Sequence, residues 1–190
     1  IILSGDIHEG LQGVSWALKQ AEITGKPILY VFGNHEYYNH EFPGLLNQAM
    51  AMVIGTNVHI LERRRFVCQG IRFIGCTLWT DFLMFGRQNQ QDCIDVSQTN
   101  MPDYELITRV SGEPIKPDDT IWLHARSIKW LVDELEKPWQ GKTVIITHHA
   151  PLLQSNHPKY SNDLLTAAFV SDMEGLMKRN DIHLWIHGHT

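Results

Sequence analysis

Short apolar runs alternate with polar turns along the chain, and this pattern predicts buried β-strands. Four of the runs end in glycine, polar or histidine residues, and they cover residues 1–3, 27–32, 144–146 and 182–186. Three more, at residues 59–61, 66–67 and 71–78, predict successive strands with a tight turn at Gln69-Gly70. Runs rich in Ile and Val and bounded by turn residues are typical of strands in a protein core.

Amphipathic stretches between these runs predict helices. The strongest covers residues 118–136, where apolar residues recur at helical spacing, Asp118 or Asp119 can cap the start and Pro138 closes the end. Weaker helices are predicted at residues 10–25, 41–54 and 173–178. Strands that alternate with helices and then cluster predict a mixed α/β sandwich, and 190 residues suit one domain.

One long segment, residues 79–111, shows no clean period and is rich in Gln, Asn and Asp. Long irregular segments inside compact domains are often binding loops or lids, so we expect a loop here. Its aromatic residues, Trp79, Phe82 and Phe85, are explained equally well by contact with a substrate and by packing in the core.

Side chains that can bind a metal follow four of the predicted strands. They are Asp6, then Asn34 and His35, then His148 and His149, and finally His187 and His189. The carboxyl ends of strands in open α/β sheets converge on one edge, where ligands bind. Each piece alone has a structural explanation as a turn or a satisfied histidine. Four coincidences together favour a metal site, and mixed oxygen and imidazole donors suit Mn, Fe, Zn, Co or Ni.

Composition and charge narrow the range of partners. Hydrophobic residues make up 43% of the chain and charged residues 19%, which excludes a disordered protein. The net charge of −5 argues against nucleic acid or an anionic membrane as the main partner, and no apolar stretch is long enough for a membrane span. Three cysteines without a C-x-x-C pair indicate reduced thiols, and we expect a cytoplasmic protein.

Four motifs resemble signature blocks of the calcineurin-like metallophosphoesterases, in the family's order. They are Gly5-Asp6, Gly33-Asn34-His35-Glu36, Thr147-His148-His149-Ala150-Pro151 and Gly188-His189-Thr190, of which the second is the most specific. The resemblance extends over nearly the whole chain. It implies a metallophosphoesterase-like sandwich of two mixed β-sheets flanked by helices, two bound metal ions, and hydrolysis of a phosphate ester by a metal-activated water.

The resemblance also implies a set of metal ligands. Asp6 would bridge the two metals, while Asn34, His148 and His189 would complete the shell of the second metal. His149 is the alternative to His148, and we favour His148 because it leaves the strand first.

A second group of residues is implied for catalysis rather than for the metal. His35 would contact the phosphate and protonate the leaving group. Glu9 is a candidate for orienting His35, and His187 is a further possible site residue.

Two parts of the family pattern are missing, the first Asp-x-His block and the histidine that would follow Thr190. We therefore expect a chain cut short at both ends, whose first metal shell retains only Asp6. His8 forms an Asp-x-His pattern with Asp6, but the glycine before Asp6 assigns Asp6 to the family's second block. Such a piece is expected to bind at most one metal tightly and to have weak or no activity.

The predicted function is a phosphoesterase that acts on a small soluble phosphate ester. The sequence leaves open whether the ester is a monoester or a diester, and the oligomeric state. The alternative is a catalytically impaired scaffold of the same fold that binds metal or protein, although an intact His35 favours an enzyme. A nuclease would need a basic groove, which the charge balance does not predict.

Overall fold

The computed structural model describes residues 1–179 and 181–189, and every predicted strand is present with shifted ends. The strands are β1 (Ile2–Leu3), β2 (Ile28–Tyr30), β3 (Glu41–Phe42), β4 (Val58–Ile60), β5 (Arg64–Cys68), β6 (Ile71–Cys76), β7 (Thr108–Arg109), β8 (Lys142–Thr147) and β9 (Leu184–Ile186). The predicted turn between β5 and β6 is confirmed, because Gln69 and Gly70 adopt positive φ angles of 50° and 75°.

The strands form two principal sheets and one small one. The first sheet has the order β1-β2-β4 and is parallel, and the second has the order β5-β6-β8-β9, in which only β5 is antiparallel to its neighbour. β3 and β7 form a separate parallel pair. The register places Leu3 beside Tyr30 and Cys76 beside Thr147, so the loops after these strands leave each sheet side by side.

Helices flank the sheets. They are α1 (Gln12–Thr24), α2 (Gly44–Met52), α3 (Gln90–Asn100), α4 (Asp103–Leu106), α5 (Pro117–Leu135) and α6 (Glu174–Met177). The predictions for α1, α5 and α6 are confirmed to within two residues at each end. The predicted helix at 41–54 is shorter than expected, because its first residues pair with β7 as strand β3.

The start of α5 differs from the prediction. Its N-cap is Lys116 and its first residue is Pro117, whose fixed φ suits the first turn of a helix. The Lys116 backbone N–H donates to Asp119 Oδ2 at 2.7 Å. Asp119 thus supports the first turn from inside the helix, and neither Asp118 nor Asp119 is the N-cap.

The expectation of a loop at residues 79–111 is wrong, because α3, α4 and β7 lie there. Only Cys93 and Ser97 of α3 are fully buried, so its apolar stripe is too narrow to produce a helical period in the sequence. The helix is stabilised instead by packing on a short 3₁₀ turn at Leu164–Ala168.

The core consists of three apolar layers. Leu29 and Val31 face Val144 and Ile146 between the two principal sheets. The outer face of the second sheet packs on α5, and the outer face of the first packs on α1 and α2. This arrangement confirms the mixed α/β sandwich, but of the two sheets predicted to be mixed only the second is, because both strand pairs described in the first are parallel. Within the described residues, no helix is long and apolar enough to cross a membrane.

Candidate active site

Asp6 lies directly after β1, where the backbone turns sharply. Gly5 and Asp6 have positive φ angles of 92° and 56°. The buried carboxylate of Glu36 accepts hydrogen bonds from the N–H groups of Asp6 at 2.9 Å, Ile7 at 2.6 Å and Gly33 at 2.6 Å. Glu36, the last residue of the Gly-Asn-His-Glu motif, therefore joins the loop after β1 to the loop after β2.

Asn34 is fully buried, and its amide is held in one orientation. Its Nδ2 donates to Asp103 Oδ1 at 2.8 Å and to the Tyr38 hydroxyl at 3.2 Å, while that hydroxyl also donates to Asp103 Oδ1 at 2.8 Å. The amide oxygen Oδ1 therefore faces the other way, 3.1 Å from His148 Nε2. The sequence offers no signal for Asp103, which lies 69 residues from Asn34 in the unperiodic segment.

His148 is fully buried and directed by its backbone contact to Ser4. Its Nδ1 lies 2.7 Å from the Ser4 carbonyl oxygen, so Nδ1 carries the proton that it donates. Nε2 then carries a lone pair and lies among other atoms that can bind a metal. It is 2.9 Å from His189 Nδ1 and 3.4 Å from Asp6 Oδ1.

His189 follows β9 with a positive φ of 57° and stacks on Phe169 at 4.5 Å between ring centroids. Its Nδ1 faces His148, and its Nε2 is buried without a hydrogen-bond partner in the described part of the chain. Burial lowers the pKa of His189, and contact with Asp6 opposes this effect. Thr190, the last residue of the motif, lies outside the described residues.

Three glycines allow these groups to approach one another. A Cβ atom at Gly33 would lie 2.7 Å from His148 Nε2 and would also overlap Asp6 Oδ1. A Cβ at Gly5 would lie 2.6 Å from the Gly33 nitrogen, and one at Gly188 would lie 2.5 Å from the Ser4 carbonyl oxygen. The motif glycines therefore leave the space that the ligand-type side chains occupy.

The His149 ring packs on the cluster, with its centroid 4.5 Å from that of His189, but its Nδ1 is not directed into the cluster. It is 1% exposed, and its Nδ1 lies 3.1 Å from the Thr77 carbonyl oxygen on the neighbouring strand end. Burial, followed by the charges of His189 and His148, holds the pKa of His149 well below its usual range. Of the two adjacent histidines, the structure places His148 in the cluster and His149 behind it against Trp79.

Glu9 and His187 are placed outside the cluster. Glu9 Oε1 accepts a hydrogen bond from Asn39 Nδ2 at 2.8 Å, and no hydrogen bond joins Glu9 to His35 among the described residues. His187 Nδ1 lies 2.9 Å from the carbonyl oxygen of Gly188. Neither side chain is hydrogen-bonded to His35 or to the candidate metal ligands in the described part of the chain.

His35 lies at the edge of the cluster with an exposed ring. Its backbone N–H donates to Asp6 Oδ1 at 3.2 Å, and its ring packs on Tyr38 at 4.6 Å between centroids. His35, Asp6 and His189 form one part of the lining of a cavity of about 580 Å³. An exposed histidine at this place can reach a molecule in the cavity.

The donor set fits a metal ion. Ligand atoms of Asp6, His148 and His189 lie within 4.8 Å of one another, and Asn34 Oδ1 is in contact with the same His148 nitrogen. Burial alone would raise the pKa of Asp6, but His148 and His189 hold it well below its usual range. A carboxylate, an amide oxygen and two imidazole nitrogens thus converge, and few hydrogen-bond donors lie between these lone pairs. A divalent cation would bind all four groups.

The whole chain, residues 1–190, matches the family model for calcineurin-like phosphoesterases, so it belongs to that family. Members of this family are phosphoester hydrolases that generally use divalent metal ions. The chain is 29% identical over 182 residues to an uncharacterised protein of Acanthamoeba polyphaga mimivirus. That match covers 86% of this chain and 61% of the viral protein, so the chain spans less than two thirds of this relative.

A solved structure provides a further comparison. The chain superimposes on the phosphopantetheinyl hydrolase of Mycobacterium tuberculosis with a TM-score of 0.72 and 18% identity, covering 99% of this chain and 71% of that one. At this level of identity the similarity establishes the fold alone, and it confirms the metallophosphoesterase-like sandwich.

Proposed function

We propose that the protein hydrolyses a phosphate ester at a dinuclear metal site to which Asp6, Asn34, His148 and His189 contribute. The observation that carries the proposal is the convergence of these four side chains from four strand ends. Bound metal ions would polarise the phosphate oxygens and lower the pKa of a water molecule, so that it loses a proton to solvent near neutral pH and the resulting hydroxide can attack phosphorus. Mn, Fe, Zn, Co and Ni all suit this mixed donor set.

The residues of the chain have separate tasks in this reaction. Asp6 and Asn34 supply oxygen donors, and the Ser4 carbonyl fixes His148 so that Nε2 faces the metal position. His35 binds a phosphate oxygen and donates a proton to the leaving alkoxide, because a histidine exchanges protons readily near neutral pH. The acidic net charge supports a small ester as the substrate rather than nucleic acid.

The direct test is metal-dependent hydrolysis. The metal-free protein is expected to release no nitrophenolate from p-nitrophenyl phosphate, and addition of Mn²⁺ or Co²⁺ should produce turnover that a chelator abolishes. Ca²⁺ should not replace them, because it prefers more oxygen donors than the site offers. The test is made on a full-length version of the protein, and absence of turnover when that protein is folded and holds both Mn²⁺ ions would contradict the enzyme and favour the scaffold.

Asp103 provides a test of the ligand arrangement itself. Replacement of Asp103 by Ala removes the acceptor that orients Asn34, so the affinity for Co²⁺ should fall by about 10- to 100-fold. Calorimetric titration of the metal-free protein measures this affinity. Asp95→Ala is the control, because among the described residues that carboxylate accepts a hydrogen bond only from the exposed Gln91 side chain in α3. Equal affinities in the two variants would show that Asp103 does not orient a metal ligand.

A further inference from the structure

The lining of the cavity beside His35 has two chemically different parts. The cavity volume of about 580 Å³ is in the range of sites that enclose small organic ligands, roughly 300–1,000 Å³. One part of the lining consists of His35 and the candidate metal ligands Asp6 and His189, and the other consists of Asn156, Tyr160, Asp163, Leu165, Thr166 and Phe169. The two parts meet where Phe169 stacks on His189. We call the second part the distal wall.

The distal wall is fixed to the body of the protein. The Ala150 N–H donates to the Phe169 carbonyl at 3.1 Å at one end, and the hydroxyl of buried Thr166 donates to the Tyr160 carbonyl at 2.7 Å further along. The turn Leu164–Ala168 packs on α3, which joins the wall to the helical layer. The wall is therefore a defined surface for a ligand to contact.

The distal wall combines apolar and neutral polar side chains with one acidic residue. Tyr160, Leu165 and Phe169 provide carbon surface, and Asp163 provides a carboxylate whose Oδ1 accepts from the Leu165 N–H at 3.0 Å. The described lining contains no Lys or Arg. Lys159 lies next to it with its Nζ over the Tyr160 ring, 5.3 Å from the centroid. A second anionic group in a substrate would thus meet a carboxylate in this cavity rather than a cation.

The segment that the sequence suggested for substrate contact lies elsewhere. Trp79 and Phe82 are 3% and 0% exposed and belong to the main core cluster, against which Phe85 also packs. None of the three lines the cavity. Core packing therefore explains these aromatic residues.

We propose that the distal wall binds the alcohol portion of the phosphate ester, and that the preferred substrate is the ester of a compact apolar alcohol with no further anionic group. This inference rests on the proposed hydrolysis and specifies its substrate class. Transfer of carbon surface from water onto Leu165, Phe169 and Tyr160 favours such an alcohol. Polynucleotides and multiply phosphorylated substrates need cationic side chains, which the described lining does not supply.

A series of linear alkyl phosphates from ethyl to octyl tests the apolar contact, because chain length changes while the chemistry of the leaving group stays nearly constant. We expect kcat/KM to rise by up to about fourfold per methylene until the cavity is filled. Leu165→Ala should reduce kcat/KM for hexyl phosphate by about tenfold and reduce it less for ethyl phosphate. Leu164→Ala is the matched control, because the neighbouring leucine packs on the core and does not line the cavity.

A carboxylate at the end of the chain tests the charge of the wall. We expect 6-phosphohexanoate to be a poorer substrate than hexyl phosphate, and Asp163→Asn to narrow the gap by about fivefold through loss of one repulsive charge. Asp172→Asn is the matched control. Asp172 also accepts a hydrogen bond from the N–H two residues ahead at 3.0 Å, but it lies outside the cavity lining.

A measurement without turnover uses the corresponding non-hydrolysable alkylphosphonates. Calorimetry measures their binding to the metal-loaded protein. Affinity that rises with chain length and falls in Leu165→Ala supports the distal wall as the alcohol site. Hydrolysis or binding that is independent of chain length, or equal effects of Leu165→Ala and Leu164→Ala, overturns the inference and leaves the proposed hydrolysis standing. Absence of both binding and hydrolysis for every ester overturns the two together.

Discussion

Replacement of His35 by Ala is expected to reduce kcat for alkyl phosphates by about 10²- to 10⁴-fold, because the leaving alkoxide loses its proton donor. Metal affinity should not change, since the His35 ring is exposed and lies outside the group of ligand atoms. The loss should be much smaller for p-nitrophenyl phosphate, whose leaving group needs little protonation. Steady-state kinetics with both substrates, together with metal titration, measures these effects.

His8→Ala is the matched control for this substitution. His8 is also exposed and lies two residues after Asp6, but its ring contacts only the Glu9 carbonyl among the described residues. It should retain activity close to that of the wild type. Equal losses with the alkyl and nitrophenyl esters in His35→Ala would show that His35 does not act as the proton donor.

Replacement of Gly33 by Ala is expected to disrupt the candidate metal site as a unit. The new methyl group would lie 2.7 Å from His148 Nε2 and would overlap the Asp6 carboxylate, and both side chains are held on their far sides. Overpacking of this kind costs about 1–3 kcal/mol in the free energy of unfolding. Co²⁺ affinity should fall by more than the tenfold lower bound expected for a misplaced ligand.

Gly175→Ala serves as the comparison for Gly33→Ala. Gly175 lies in α6, where an added Cβ meets nothing within 4 Å, and Ala is favoured over Gly in a helix by roughly 1 kcal/mol. This variant should be as stable as the wild type or more stable, with unchanged metal affinity. Denaturant unfolding of the metal-free proteins and calorimetric titration with Co²⁺ test both statements. Normal Co²⁺ affinity in Gly33→Ala would exclude Asp6 and His148 as ligands of one ion.

The strand ends were the part of the site that the sequence could predict. Apolar runs identify buried strands, and the parallel register then requires that the residues after them meet. Within each sheet this register brings Asp6 near Asn34 and His148 near His189, and the packing of the two sheets brings the two pairs together, although their binding of metal remains a prediction.

The preference for His148 over His149 rests only on its leaving the strand first, and the sequence carries no signal for the placement of either ring. That placement is determined by neighbours that are distant in the sequence. The carbonyl oxygen of Ser4, which is 144 residues away, accepts a hydrogen bond from His148 Nδ1. The carbonyl oxygen of Thr77, which is 72 residues away, is hydrogen-bonded to His149 Nδ1. The role of Asp103 escaped prediction for the same reason.

Glu9 shows the opposite limit, where the resemblance suggested a contact that the structure does not contain. Its carboxylate lies on Asn39, which has a positive φ of 60° in the turn after the Gly-Asn-His-Glu motif. Glu36 is the glutamate that stabilises this region, because its buried carboxylate accepts hydrogen bonds from N–H groups of two loops and so joins them. Sequence spacing alone cannot distinguish these two glutamates.

The origin of the four candidate ligands has a consequence for stability. Asp6 and Asn34 follow strands of the parallel sheet, whereas His148 and His189 follow strands of the mixed sheet. An ion held by all four would act as a reversible cross-link between the two layers of the sandwich, and unfolding would have to release it. At a free metal concentration one hundred times Kd, this adds about 2.7 kcal/mol to the free energy of unfolding. The resistance of the folded protein to heat would then follow the supply of metal as well as the packing of its core.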